Sequence, residues 1–212
     1  MFQDRMEAGD RLAELLDQRD IAADLVLGIP RGGLPVARPV ADRLDAPLDI
    51  VAAKKMGVPG NPEFAIGAAA GDGSAWLNES VIERYGIDED YLNEERERAA
   101  ETARQKIERY RGDRDPPEME DKAVVVVDDG VATGATARAC LRQVEGAGAA
   151  RTVLAVPVAP PDSVAELEAE ADEVIVVESP PNFTAVGACY REFEQVTDEE
   201  AMAYLGWDLP VE

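Results

Sequence analysis

The chain of 212 residues has no histidine, two cysteines and four lysines. The missing histidine excludes a His-based catalytic triad and a zinc site of the histidine type. Cys140 and Cys189 are too few for a disulfide framework or an all-cysteine metal site, and both read as small buried hydrophobes. No run of about 18 apolar residues exists, so no transmembrane helix is expected. The opening stretch MFQDRMEAGDRLAELL is charged and amphipathic, without the long apolar segment of a secretory signal. Positive charge is scarce as well: 21 Lys and Arg stand against 44 Asp and Glu, a formal net charge of −23. Broad nucleic-acid binding needs a positive surface and is not expected.

A hydrophobic fraction of 46% is ample for a core, so the acidity belongs to the surface of a folded protein rather than to a disordered chain. Salt relieves repulsion among surface carboxylates, because the Debye length falls to about 3 Å at 1 M. The charge balance therefore reads as that of a cytoplasmic protein adapted to high salt, with no membrane partner.

Periodicity predicts a helix over residues 4–18, a buried strand over 24–30 and a helix over 33–44. A second strand follows at 48–53. A Gly/Pro-rich loop is predicted over 54–62, then short strands at 65–70 and 74–77. Helices are predicted at 79–85 and 88–110, the latter a highly charged, solvated one. Residues 124–127 form an unbroken apolar strand. A helix at 136–145, a strand at 151–158, a helix at 162–171 capped by Asp162 or Ser163, and a strand at 173–177 come next. A last short helix starts at Asp198. Strands alternating with helices imply an α/β fold with a doubly wound, mainly parallel sheet, which binds ligands at the carboxyl ends of its strands.

The stretch VVVVDDGVATGATARAC, from Val124 to Cys140, carries the chemistry. A buried strand delivers Asp128 and Asp129 to the sheet's edge, where adjacent like charges need neutralising or hydrogen-bonding groups. A vicinal diol supplies them. Ala132, Gly134 and Ala135 let backbone N–H groups approach an oxyanion, Thr133 and Thr136 add hydroxyls, and the helix behind adds its positive N-terminus. A diol beside a phosphate describes a ribose 5-phosphate.

This run of four hydrophobics, two acids, three residues, Thr-Gly and a further Thr resembles the diphosphosugar signature of type I phosphoribosyltransferases, in the form most like adenine-type members. The resemblance extends from about Leu25 to Phe193. Gly28-Ile-Pro-Arg-Gly-Gly33 looks like the family's pyrophosphate loop, in which an often cis, non-proline peptide turns N–H groups to the diphosphate. Arg31, Gly32 and Gly33 are its candidates, against the plain alternative of a Pro-Arg-Gly-Gly turn. Lys54 to Glu63 looks like the family's mobile loop. Lys54 and Lys55, half of all the lysines, suggest an anion site there, the alternative being a surface charge pair. In Ser179 to Gly187, Phe183 is the candidate to stack on an acceptor base, with a core phenylalanine as the alternative. Val186, Tyr190 and Phe193 are expected near it. The combination looks like a branch apart from the named base-salvage enzymes.

The resemblance implies a single phosphoribosyltransferase domain over 1–212, with a small hood from about 1–20 and 179–212, and a homodimer. It implies magnesium-dependent displacement on 5-phosphoribosyl 1-diphosphate (PRPP) by a small-molecule acceptor. Asp128 and Asp129 would hold the diol and, mainly through substrate or water, Mg2+. Residues Val131, Ala132, Thr133, Gly134, Ala135 and Thr136 would hold the 5′-phosphate. Arg31, Gly32, Lys54 and Lys55 would hold the leaving group. Ala132 stands where hypoxanthine/guanine-type relatives carry an aspartate, so the acid or base must come from elsewhere, with Glu63 as the candidate. A non-catalytic sensor of PRPP or a nucleotide is the competing class. A P-loop hydrolase or kinase lacks its G-x-x-x-x-G-K-[ST] loop here.

Overall fold

The computed structural model describes residues 1–207, except for the side chains of Pro62 and Glu63. Its central sheet has five parallel strands in the order β2-β1-β6-β7-β8. These are β1 (Leu25–Gly28), β2 (Leu48–Ile50), β6 (Ala123–Val127), β7 (Arg151–Val158) and β8 (Glu173–Glu178). The second, antiparallel sheet contains β3 (Ala53–Val58), β4 (Asn61–Ala70) and β5 (Ala75–Leu77). The helices are α1 (Arg5–Gln18), α2 (Gly33–Arg43), α3 (Glu79–Tyr85), α4 (Glu89–Arg111), α5 (Ala135–Gly146), α6 (Pro161–Leu167) and α7 (Asp198–Ala203). The doubly wound α/β architecture is as the alternating sequence pattern predicts.

Strand β6 shows why an unbroken apolar run forms here. Alternate residues of a strand face opposite ways, and both faces are covered. Val125 and Val127 join Leu12, Leu16, Val36 and Val40 of α1 and α2 in one core. Val124 and Val126 pack with Cys140, Leu141 and Val144 of α5 and with Leu167 of α6 in the other. Cys140 is thus a core residue, while Cys189 is only partly buried. Chain order reverses between β1 and β6: β1 leads outward through α2 to β2, and β6 starts the opposite half of the sheet. Such a reversal leaves a crevice beyond the strand ends, because the two following loops diverge to opposite faces.

Two predicted elements differ. The loop predicted over 54–62 is instead largely a hairpin: β3 pairs with β4, with an irregular register at Met56–Val58 and a turn at Pro59-Gly60. Gly60 has φ +78°, a conformation glycine reaches without a Cβ penalty. Glycine and proline marked a bulge and a turn here rather than an unstructured loop. Second, α6 ends at Leu167 rather than 171, and it starts with Pro161 after Pro160, without a side-chain cap. Proline suits the first helical turn because that N–H has no intrahelical partner. The N- and C-terminal segments meet: Phe2 bridges to Tyr190, and their rings lie 5.3 Å apart. Residues 208–212, counted in the expected hood, lie outside the described residues.

Candidate active site at the sheet's crevice

The loops after β1 and β6 touch. Ile29 N–H donates to Val127 O at 2.8 Å, extending the ladder by one rung. Beyond it the peptide between Pro30 and Arg31 is cis. A Cβ on Gly32 would sit 2.1 Å from Asp129 Oδ2, and one on Gly33 would sit 2.8 Å from Val127 O. Those approaches account for the Gly-Gly pair: any side chain would push the two loops apart.

The loop after β6 wraps a cavity of about 160 Å³ lined by Lys55, Asp128, residues 130–137 and Val186. Gly130 (φ +153°) must be small, because a Cβ there would meet Val186 at 2.6 Å and Val158 at 2.8 Å. Gly134 (φ +76°) starts α5 and gives it no side-chain cap. The first N–H groups of that helix therefore open toward the cavity, at the positive end of its dipole. Val131 N–H donates to Val158 O at 2.8 Å, and the Ser163 hydroxyl donates to Ala132 O, so β7 and α6 brace the loop from behind. Among the predicted 5′-phosphate residues, Val131 to Thr136 all line this one cavity.

The two aspartates are not equivalent. Asp128 lines the cavity and takes part in no ion pair among the described residues; its Oδ1 accepts from Asp129 N–H at 2.9 Å. Burial, reinforced by the Asp129 charge, pushes its pKa well above the usual carboxylate value. Asp129 turns away to Arg5, whose Nε lies 2.8 Å from Oδ2. Burial raises Asp129 too, with Arg5 pulling against it. Arg5 is fixed in turn: its guanidinium stacks 3.8 Å from the Phe193 ring centre and donates to Glu194 O at 2.8 Å. The Tyr190 hydroxyl donates to Asp129 O at 2.6 Å.

The hairpin divides the two adjacent lysines. Its β4 residue Ala68 packs on Ala135 and Ala139 of α5, and the neighbouring Ala69 packs toward Ala99 and Ala100 of α4. Lys55 pairs across the hairpin with Ala68, and Lys54 with Ala69. Lys55 accordingly reaches the phosphate-loop cavity, while Lys54 acts electrostatically on Lys106 of α4. Lys106 donates to Pro30 O at 2.7 Å. Arg31 lies 4.0 Å from Asp198, which also accepts from Tyr110 Oη at 2.6 Å and pairs with Arg109 at 2.7 Å. These contacts hold the Asp198 carboxyl below its usual range, the Tyr110 hydrogen bond most of all.

Of the acceptor candidates, Val186 lines the cavity. Phe183 is half-buried against a cluster containing Phe2, Val158 and Tyr190, and is not among the residues lining that cavity. The Glu63 side chain lies outside the described residues. Sequence reasoning missed Arg5 and Lys106. Lysine scarcity was the one available signal for Lys106. For Arg5 there was none, because its partner is 124 residues away.

No group of three or more His, Cys, Asp or Glu side chains among the described residues could hold a metal ion. A divalent ion would therefore take few protein ligands. Asp128 fits that role, being a cavity-lining carboxylate in no ion pair among the described residues, and a hard cation accepts such an oxygen alongside water and ligand oxygens.

The phosphoribosyl transferase domain family matches residues 2–193. A Mycobacterium tuberculosis protein bearing a provisional phosphoribosyl transferase name is 44% identical over 206 residues, 97% of this chain and 46% of its own length. The chain thus spans about half the length of the curated relatives it matches. The crystal structure of the TT1426 protein from Thermus thermophilus is 46% identical, covers 97% of each chain and superposes with a TM-score of 0.82. The AQ2163 protein of Aquifex aeolicus, 14% identical over 82% of this chain and 73% of its own, shares the fold alone at a TM-score of 0.50.

Proposed function

The chain belongs to the phosphoribosyl transferase domain family, and on that premise we propose that it transfers the 5-phosphoribosyl group of PRPP to a nitrogen nucleophile, releasing pyrophosphate. One observation carries this reading: a helix N-terminus without a side-chain cap and the Asp128 carboxylate share one small cavity at the crevice between β1 and β6. Phosphate suits the first and a diol hydroxyl or cation suits the second.

In this reading the N–H groups after Gly134, with Thr133 and Thr136, hold the 5′-phosphate. Asp128 accepts from a ribose hydroxyl. Asp129, held by Arg5, keeps the Gly32 turn in register. Arg31, Gly32 and Gly33 bind the diphosphate that departs with the electrons of the broken C1–O bond. The nucleophile's nitrogen forms the new bond to C1 and gives up its proton to a base, for which Glu63 is the candidate. Magnesium, when bound, would neutralise diphosphate charge, with Asp128 as its protein carboxylate acting mainly through water or substrate, while Asp129, the other carboxylate expected there, is engaged by Arg5. Charge at C1 grows in the transition state, so fixed dipoles and exclusion of water do most of the catalytic work.

The test is calorimetric titration with magnesium and PRPP in molar KCl, followed by a screen of nitrogenous acceptors for pyrophosphate release. Binding by the wild type that Asp128→Asn loses supports the reading. A folded wild type that does not bind PRPP ends it. Binding without turnover on any acceptor favours the sensor class. Unchanged turnover in Glu63→Gln would remove Glu63 as the base.

A further inference from the structure

Lys106 sits on the second turn from the end of α4, a helix whose sequence reads as a solvated charged surface. Its stem is half-buried and its ammonium reaches across to the cis-peptide loop, donating to Pro30 O at 2.7 Å. An ammonium has three donors, and the Pro30 carbonyl uses one. No carboxylate lies within ion-pairing distance of it among the described residues, in a chain with 44 Asp and Glu. Two further cations, Arg31 and then more weakly Lys54, act on it, with Asp198 and Asp128 acting in the opposite sense. Burial and then Arg31 pull its pKa below the ordinary lysine value. Lys55 lines the adjoining cavity of the loop after β6.

Lys106, on Pro30 O, and Arg31, the next residue of that loop, border the same cis peptide, and like charges so close favour an anion between them. A plain fastening of α4 to the loop needs only a neutral donor, since the partner is a carbonyl. We propose that Lys106 is a diphosphate-binding residue of the transferase site, its spare N–H groups completing a triad with Arg31 and Lys54 around the leaving group. The proposal rests on the phosphoribosyl-transfer reading and adds to it a residue from an element outside the sheet's own loops. The triad divides labour with Lys55, which lies on the other face of the hairpin, in the phosphate-loop cavity.

The test compares wild type, Lys106→Gln and Lys106→Arg by calorimetry with three probes: magnesium PRPP, magnesium pyrophosphate and ribose 5-phosphate. Gln keeps a donor and removes the charge; Arg keeps the charge. Thermal melts check that each variant is folded. The expected result is a roughly 10- to 100-fold loss of PRPP and pyrophosphate affinity in the Gln variant, the scale of a charge-assisted contact. Ribose 5-phosphate binding should be unchanged, and Arg should restore most of the loss. A Gln variant that binds pyrophosphate like wild type overturns the proposal and leaves Lys106 as a fastening. An Arg variant as weak as Gln overturns it too, since charge would not be the cause. Wild type that binds ribose 5-phosphate but not pyrophosphate refutes the triad alone. Wild type that binds no probe refutes the transferase reading and the triad with it.

Discussion

Asp128 is a carboxylate whose neutral form the folded protein favours, since burial and Asp129 raise its pKa. The stabilising neutral form is fully present below the ordinary carboxylate value near 3.8, and its benefit is lost as pH rises through the folded-state value. Asp128→Asn should therefore melt higher than wild type at neutral pH, by about 0.5–2 kcal/mol, with the advantage shrinking toward pH 4. Melting curves at several pH values check this, and the same variant should lose PRPP. Arg5 makes the opposite prediction. Arg5→Met strands a largely buried Asp129 carboxylate and should cost on the order of 3 kcal/mol in urea unfolding. The cost should be smaller in an Asp129→Asn background, a double-mutant cycle that isolates the pair. The legibility of the site divides along the same line. Residues whose placement follows from their own neighbours in sequence, Asp128, Gly134 and Thr136, were readable as a group at the end of a buried run, and they line one cavity. Arg5, Lys106 and the Tyr190 hydroxyl act on partners 124, 76 and 61 residues away, and no local pattern encodes such a meeting.

The hairpin of β3 and β4 is the element that sequence reasoning read least well. Its Gly57, Pro59, Gly60 and Pro62 mimic a loop, yet Met56, Val58 and Ile66 bury completely or nearly so against α3 and α4. A ribbon packed on both faces explains how two adjacent lysines can serve different sites, because strand neighbours point opposite ways. Lys55→Gln should weaken ribose 5-phosphate binding while sparing pyrophosphate, and Lys54→Gln should do the reverse. Equal losses for both probes in both variants would show that the two side chains share one site. Helix α5 was legible because its start is fixed by the chemistry of Gly134 and its buried face by Ala137, Leu141 and Val144. The ends of α6 were not, since two prolines can each begin a helix and burial of Leu167 decides where it stops.

Across the whole molecule, the doubly wound sheet was legible from the alternation of strands and helices, but the strand order was not, because pairing partners are chosen by packing between distant segments. The surplus of carboxylates is a property at this scale as well. We propose that it reflects adaptation to high salt. Stability should then rise from about 0.1 M to molar KCl, as the screening length shortens from roughly 10 Å to 3 Å, and a melting temperature independent of salt would contradict it. The junction of β1 with β6 bears on how the molecule comes into being. Leu25 pairs with Val124, so the crevice closes only after nearly half the chain has been spanned, a pairing of high contact order that is slow to form. Neither bordering loop is complete without the other, since Gly32 rests on Asp129. Competence to bind a phosphosugar should therefore emerge late in refolding, in step with the last long-range pairing rather than with the early gain of helix, and a ligand would serve as a reporter of finished topology.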